Sequence, residues 1–224
     1  MSKPRLLDLF CGAGGCSMGY HRAGFEVFGV DIKPQPHYPF ESVHLDALEY
    51  ARVYGHQFDA IHASPPCQAY SNCTPISRRA VHRNHADLIG PTRNLLEEIG
   101  RPYVIENVAN APLRSAILLC GSMFGLDVRR HRLFESNVML LAPSCRHARQ
   151  TPRFRSLDSR QKNKARVVGV HGSTNYKGEL ALRKAAMGID WMNNRELTQA
   201  IPPAYTEFIG KQLLNIIGEP CKPQ

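Results

Sequence analysis

The segment LLDLFCGAGGCSMGYHRAGFEVFGVD, residues 6–31, constrains the fold more than any other part of the chain. An apolar run at residues 6–10 gives way to a glycine-rich turn at residues 12–15. A helix-like stretch, residues 16–23, follows and stops at Gly24, the residue type best suited to a C-cap. Residues 25–30 are apolar again and end at Asp31 and the proline-rich connection Lys33-Pro34-Gln35-Pro36. Strand, tight turn, helix and strand in that order imply parallel pairing, because the helix returns the chain to the end from which it started. The alternation recurs. Residues 58–63 read as a strand, 86–99 as a helix before Gly100 with an interruption at Gly90-Pro91, and 102–105 as another strand. The expected architecture is therefore α/β, an open, doubly wound sheet of the Rossmann-like kind.

A chain of 224 residues accommodates one main domain and a small appendage. No apolar run approaches the ~18 residues of a membrane helix, and the N-terminus lacks a secretory pattern, so a cytoplasmic location is expected. The seven cysteines form no C-x-x-C pair. Neither a disulfide framework nor structural zinc is expected, and no metal; reduced thiols fit a cytosolic protein. After residue 135 the periodic pattern degrades. It recovers at 167–170, in helix-like stretches at 179–187 and 196–200, and in a last amphipathic helix opened by Pro202-Pro203, which should return to the main sheet. Between Arg146 and Arg166 eight basic residues face Asp158 alone, so most of the formal net charge of +9 sits in one segment. Such a segment is either a solvated loop or a surface for phosphates.

Four motifs carry chemistry. DLFCGAGGCS, residues 8–17, is a loop through which backbone can approach a ligand, although Ser17 replaces the third glycine of a dinucleotide fingerprint. Asp31 ends the next strand, where a carboxylate accepts from ribose hydroxyls or simply closes a turn; Asp46 reads first as a helix cap. ASPPCQAYS, residues 63–71, mounts Cys67 behind two prolines at the end of a strand, with Arg78, Arg79 and Arg83 following. A thiol in basic, polar surroundings is biased toward thiolate, hence toward nucleophile. VIENVANAP, residues 104–112, sets Glu106 at another strand end, a general-acid candidate if burial raises its pKa and a surface ion pair otherwise. In VRRHRLFES, residues 128–136, Arg130 and Arg132 alternate across His131, which in extended chain turns both toward one face.

These elements, in this order, resemble the DNA cytosine-5 methyltransferase family, of which the chain looks like a compact member. DLFCGAGG, SPPCQ, ENV and RRHR match its cofactor loop, nucleophile loop, glutamate motif and arginine motif; only residues 135–178 are uncovered. The resemblance implies an S-adenosylmethionine-dependent methyltransferase acting on DNA. Cys67 would add to carbon 6 of a flipped-out cytosine, Glu106 would hold a proton at ring nitrogen 3, and Arg132 with Arg130 would steady the base. Phe10 would stack on adenine, Cys11, Gly12, Gly14 and Gly15 would admit the methionine moiety, and Asp31-Ile32, Asp46-Ala47 and Pro66 would complete the cofactor pocket. Gln68, Ser71, Arg78, Arg79, Arg83, Arg153, Arg155, Lys162 and Lys164 would contact the nucleic acid.

The implied organisation is a cofactor-binding and catalytic domain over residues 1–134, a short basic target-recognition region over 135–178, and C-terminal helices over 179–224 that return to it. The chain departs from the family in carrying Asp31 where glutamate is usual, Val128 where glutamine is usual, and AIPPAYTEFIG in place of Gly-Asn-Ser-Val. The recognition region is short, so selectivity is expected to be relaxed, brief, or supplied by a separate specificity partner to an otherwise monomeric enzyme. The role could be restriction-modification, viral DNA methylation or regulation. Two alternatives stand beside this reading: the same chemistry on RNA or free cytosine nucleotides, and an idle nucleic-acid-binding protein.

Overall fold

A computed structural model describes residues 2–66, 87–152, 165–170 and 179–218. Five strands pair in parallel: β1 (Arg5–Leu9), β2 (Glu26–Asp31), β3 (Glu41–His44), β4 (Ala60–Ala63) and β5 (Tyr103–Asn107). To these are added β6 (Ile117–Leu119) and β7 (Arg132–Ser136), with β7 antiparallel to both β5 and β6. The sheet order is β3-β2-β1-β4-β5-β7-β6. The chain winds outward from β1 to β3, then restarts on the other side of β1 with β4. The loops leaving β1 and β4 therefore flank a topological switch point, where open α/β sheets form their binding crevice.

The helices are α1 (Gly15–Ala23), α2 (Ala47–Tyr54), α3 (Ile89–Ile99), α4 (Glu179–Met187), α5 (Asn194–Gln199) and α6 (Pro203–Gly218). Side chains alternate across each strand, so neighbouring residues serve opposite layers. Leu6, Val27 and Val104 face α1 and α6, meeting Tyr20, Tyr205, Ile209 and Leu213. Leu7, Leu9, Ile61 and Ile105 face α2 and α3, meeting Ala47, Ala51, Leu95 and Leu96. A third apolar cluster joins Val168, Val170, Met187, Ile189, Met192 and Leu197 to Ala13 of the first loop. Helices α1 and α6 lie in close contact, and Thr206 Oγ1 donates to the Cys16 carbonyl at 2.8 Å. Gly19 is the residue that permits this approach: a Cβ there would stand 2.2 Å from the Pro203 carbonyl oxygen.

The structure refines the sequence pattern in several places. Gly90-Pro91 does not interrupt α3. Pro91 is its third residue, where no intrahelical amide bond is lost, and the first such bond runs from Thr92 N to Leu88 O at 2.9 Å. The strand pattern did not mark β3, an exposed edge strand of sequence ESVH. Its successor α2 begins at Asp46, whose Oδ1 accepts from the amides of Leu48 and Glu49 at 2.9 and 3.0 Å. Beyond the sheet, β8 (Gln150–Pro152) and β9 (Ala165–Val167) form a parallel pair in the basic region. Among the described residues no helix is long and apolar enough to cross a membrane.

Candidate active site

The loop leaving β1 is held in an unusual backbone conformation. Phe10, Gly12 and Gly14 have φ of 58°, 50° and 82°, all left-handed, and only glycine adopts such angles without strain. Asp31 at the end of β2 stitches the loop closed: its Oδ2 accepts from Gly12 N at 2.9 Å and its Oδ1 from Lys33 N at 2.9 Å. A Cβ on Gly12 would meet nothing within 4 Å, so this residue borders open space. Gly14 and Gly15 serve packing instead, since a Cβ would fall 2.8 Å from Pro39 Cδ and 2.5 Å from the Ile201 carbonyl oxygen respectively. Trp191 Nε1 donates to the Ala13 carbonyl at 2.8 Å, bracing the loop from the C-terminal side. Ile32 is exposed beside Asp31, and Ala47 is buried beneath the cap at Asp46. Burial pushes the Cys11 and Cys16 thiols up, with Asp8 adding to the effect, so both stay neutral.

Behind the loop, Asp8 is wholly buried and accepts a short hydrogen bond from Ser17, which also meets Tyr38 Oη at 2.9 Å. Burial lifts the Asp8 carboxyl to about 7, despite the opposing Ser17 hydrogen bond.

Across the switch point, β4 delivers Ser64, the buried Pro65 and the exposed Pro66. Cys67, Gln68, Ser71, Arg78, Arg79 and Arg83 lie outside the described residues, as do Arg153, Arg155, Lys162 and Lys164. The segment leading to Cys67 is nonetheless pinned: Asn107 Nδ2 of β5 donates to the Pro65 carbonyl at 3.0 Å. Its neighbour Glu106 is only 6% exposed. Arg132 Nε stands 3.0 Å from Glu106 Oε1 as an ion pair off hydrogen-bond alignment, so Oε1 has no hydrogen-bond donor among the described residues. Burial raises the Glu106 pKa, and Arg132, the Ser64 hydroxyl and Arg130 offset only part of that.

A buried relay supports the carboxyl. Tyr20 Oη lies 2.9 Å from His62 Nδ1, and His62 Nε2 lies 2.9 Å from Ser64 Oγ. Burial drops the His62 pKa to about 3, so the ring is neutral. With Ser64 donating to Glu106, its oxygen receives the Nε2 proton of His62, and Nδ1 accepts from Tyr20. Sequence reasoning missed Tyr20 and His62, which sit among apolar residues with no motif to mark them. Ser64 was in view within SPPC but had no assigned part.

The two arginines have separate partners, although extended chain suggested one shared face. Arg132 takes the Glu106 carboxyl. Arg130, 2% exposed, donates from Nη2 to the Thr198 carbonyl at 2.7 Å and from Nη1 to the Val170 carbonyl at 3.4 Å, while its own carbonyl accepts from Tyr205 Oη at 2.6 Å. Arg130 thus ties the C-terminal elements to the strand that carries Arg132. The loop after Glu106 is fixed by a second buried pair, Arg93 to Glu135, bidentate at 2.5 and 2.8 Å, with Arg93 also donating to the Pro112 carbonyl. The arrangement therefore sets a glycine-walled cradle beside an acidic pair of strand ends, and next to it a buried carboxyl with raised pKa, an arginine and a rigid proline mount.

Residues 4–112 match the family model described as C-5 cytosine-specific DNA methylase. The Type II methyltransferase M.XorII of Xanthomonas oryzae pv. oryzae is 30% identical over 156 residues, which is 62% of this chain and 32% of that protein. The chain spans about a third of the length of the curated relatives it matches. A solved E. coli structure described as a DNA modification methyltransferase encoded within a prophage superposes with a TM-score of 0.62 at 16% identity, covering 96% of this chain and 100% of the other. The Dnmt2 methyltransferase of S. pombe superposes with a TM-score of 0.60 at 13% identity, covering 97% and 100%. At these identities the structural likeness is one of fold.

Proposed function

Since residues 4–112 match the model of the C-5 cytosine-specific DNA methylase family, we propose that the protein transfers a methyl group from S-adenosylmethionine to carbon 5 of cytosine in DNA. The observation that carries this reading is Glu106. A carboxyl that burial biases toward its protonated form, paired with Arg132 and one residue from the Asn107 side chain that pins the nucleophile mount, is what cytosine activation needs.

The cradle between β1 and β2 fits the cofactor. Gly12 borders open space, each oxygen of Asp31 holds one backbone amide and retains a lone pair for a ribose hydroxyl, and Asp46 caps α2 through Oδ1 alone, leaving Oδ2 for the adenine amine. Phe10, held left-handed at the loop's start and only partly buried, would stack on the adenine. When bound, S-adenosylmethionine supplies an electrophilic methyl group.

Carbon 5 of cytosine is a poor nucleophile. The Cys67 thiolate adds to carbon 6, forming an S–C bond and moving electron density toward carbon 5 and the ring nitrogen. Glu106 holds a proton at nitrogen 3 and accepts from the exocyclic amine, and Arg132 offsets charge at the base carbonyl. Arg130 acts on Arg132 through the backbone it anchors. Once carbon 5 carries the methyl group, with S-adenosylhomocysteine left as the spent donor, its proton passes to a base or water, the S–C bond breaks and the thiolate is restored. Asn107 holds the Pro65 carbonyl, two residues before Cys67, and misplacement of a reacting group by 1 Å costs about 10²-fold in rate. The target base must leave the stack to reach this site. Residues 135–178 serve as the recognition region, and the basic side chains Arg153, Arg155, Lys162 and Lys164, with Gln68, Ser71, Arg78, Arg79 and Arg83, hold the phosphates.

The test is transfer of radiolabelled methyl to duplex DNA, single-stranded DNA, RNA and free cytosine nucleotides, with the product base identified. The reading expects 5-methylcytosine in DNA. Labelling of RNA alone, or silence on every DNA form, overturns it.

A further inference from the structure

Cys120, His131, Cys145 and His147 each bring one ligand atom into a group whose members all lie within 4.8 Å of one another. Cys120 Sγ is 3.2 Å from His147 Nε2, and Cys145 Sγ is 3.6 Å from His131 Nε2. A tetrahedral zinc ion with two thiolates and two imidazoles sets its ligand atoms about 3.3–3.8 Å apart, so small side-chain adjustments would complete the shell.

The four come from separate places. Cys120 directly follows β6, His131 directly precedes β7, and Cys145 and His147 lie in the segment that leaves β7 for the basic region. The cluster is graded from a buried Cys120 to an exposed Cys145, which gives an ion a route from solvent. Its surroundings are also suitable. Ser122 Oγ donates to Cys120 Sγ at 3.3 Å and accepts from Arg146 N at 3.1 Å, and Arg129 Nη2 donates to the His147 carbonyl at 3.1 Å. Two soft thiolates with two imidazoles in a tetrahedral array select zinc over the hard cations that prefer oxygen. Binding releases the two thiol protons, and the two thiolates then balance the 2+ charge, so the partly buried site is neutral.

We propose that Cys120, His131, Cys145 and His147 form a closed Cys2His2 zinc site that staples the root of the basic segment to the strand edge bearing Arg132. His131 would be one ligand and Arg132 the next residue, so the ion would fix the direction in which the arginine leaves its strand. This reverses the expectation from cysteine spacing, since no C-x-x-C pair contributes and three chain segments do.

The experiment is elemental analysis of the full-length chain purified without chelator, together with zinc titration and the absorption spectrum of the cobalt(II) form. The expected results are one zinc per chain, a cobalt spectrum with tetrahedral bands and thiolate charge transfer, and at least tenfold weaker zinc binding in Cys145→Ser. Cys145 is exposed and outside the apolar clusters, so that variant keeps the fold; His147→Gln, checked for native circular dichroism, is the second variant and should weaken zinc equally. Metal content is read without reference to methyl transfer, so it stands whichever substrate is used. A wild-type chain that takes up neither zinc nor cobalt at micromolar concentrations overturns the proposal. So do full zinc retention in both variants and a Cys120–Cys145 disulfide in the purified protein.

Discussion

Two buried carboxyls, Asp8 and Glu106, are both lifted by burial, yet they have different tasks. Each has one oxygen without a hydrogen-bond donor among the described residues, but Glu106 stands beside Arg132 next to the Pro65-Pro66 segment, whereas Asp8 is wholly buried behind the glycine loop with its other oxygen held by Ser17. Glu106→Gln keeps the shape but cannot deliver the proton. It should lower kcat by about 10²–10³-fold, with cofactor affinity and thermal stability unchanged; a loss below tenfold in steady-state methylation would remove Glu106 from the chemistry. Asp8 makes a pH prediction. Folded, it stays neutral up to about 7, whereas the unfolded chain ionises near 3.8. Its stabilising contribution is therefore whole below the unfolded value, falls as pH rises, and is gone above about 7. Asp8→Asn keeps an acceptor for Ser17 without ionising. In urea unfolding, its stability relative to wild type should improve by roughly 2–3 kcal/mol between about pH 5 and pH 8. A pH-independent difference would contradict the burial argument.

The contact of α1 with α6 is the joint through which the C-terminal region holds the glycine loop. Gly15 touches the Ile201 backbone, Thr206 holds the Cys16 carbonyl and Gly19 admits Pro203. A Cβ at Gly19 would meet Thr206 Oγ1 at 2.0 Å and Pro203 O at 2.2 Å, so helix propensity should not rescue Gly19→Ala. The expected cost is about 1–3 kcal/mol, seen as a lower Tm in calorimetry; an unchanged Tm would mean that the two helices separate freely. The AIPPAYTEFIG stretch, which departs from the family motif, thus has a structural part to play. That part was not legible in sequence, because it depends on a contact between residues some 190 positions apart. Much of the parallel part of the sheet was legible, since β1, β2, β4 and β5 are mostly apolar, broken by Asp8 and His62, and need both faces covered. The edge strand β3 is polar and exposed, with no such run to announce it.

Taken as a whole, the chain places its motifs by topology. The loops after β1 and β4 must adjoin because the winding reverses between them, so the nearness of the glycine loop to Ser64-Pro65-Pro66 follows from strand order. Order along the sequence was enough to align the motifs. It could not reveal the Tyr20–His62–Ser64 relay, the Arg93–Glu135 clamp or the different duties of Arg130 and Arg132, because each rests on pairings made only in the folded chain. The central claim concerns a sulfur–carbon bond, and it is most directly read by incubating the protein with S-adenosylmethionine and duplex DNA containing 5-fluorocytosine. Fluorine at carbon 5 prevents the final elimination, so the account predicts a denaturation-resistant protein–DNA adduct that maps to Cys67 and is absent from Cys67→Ala. Methylation of ordinary cytosine by Cys67→Ala, or an adduct mapped to another residue, would contradict it.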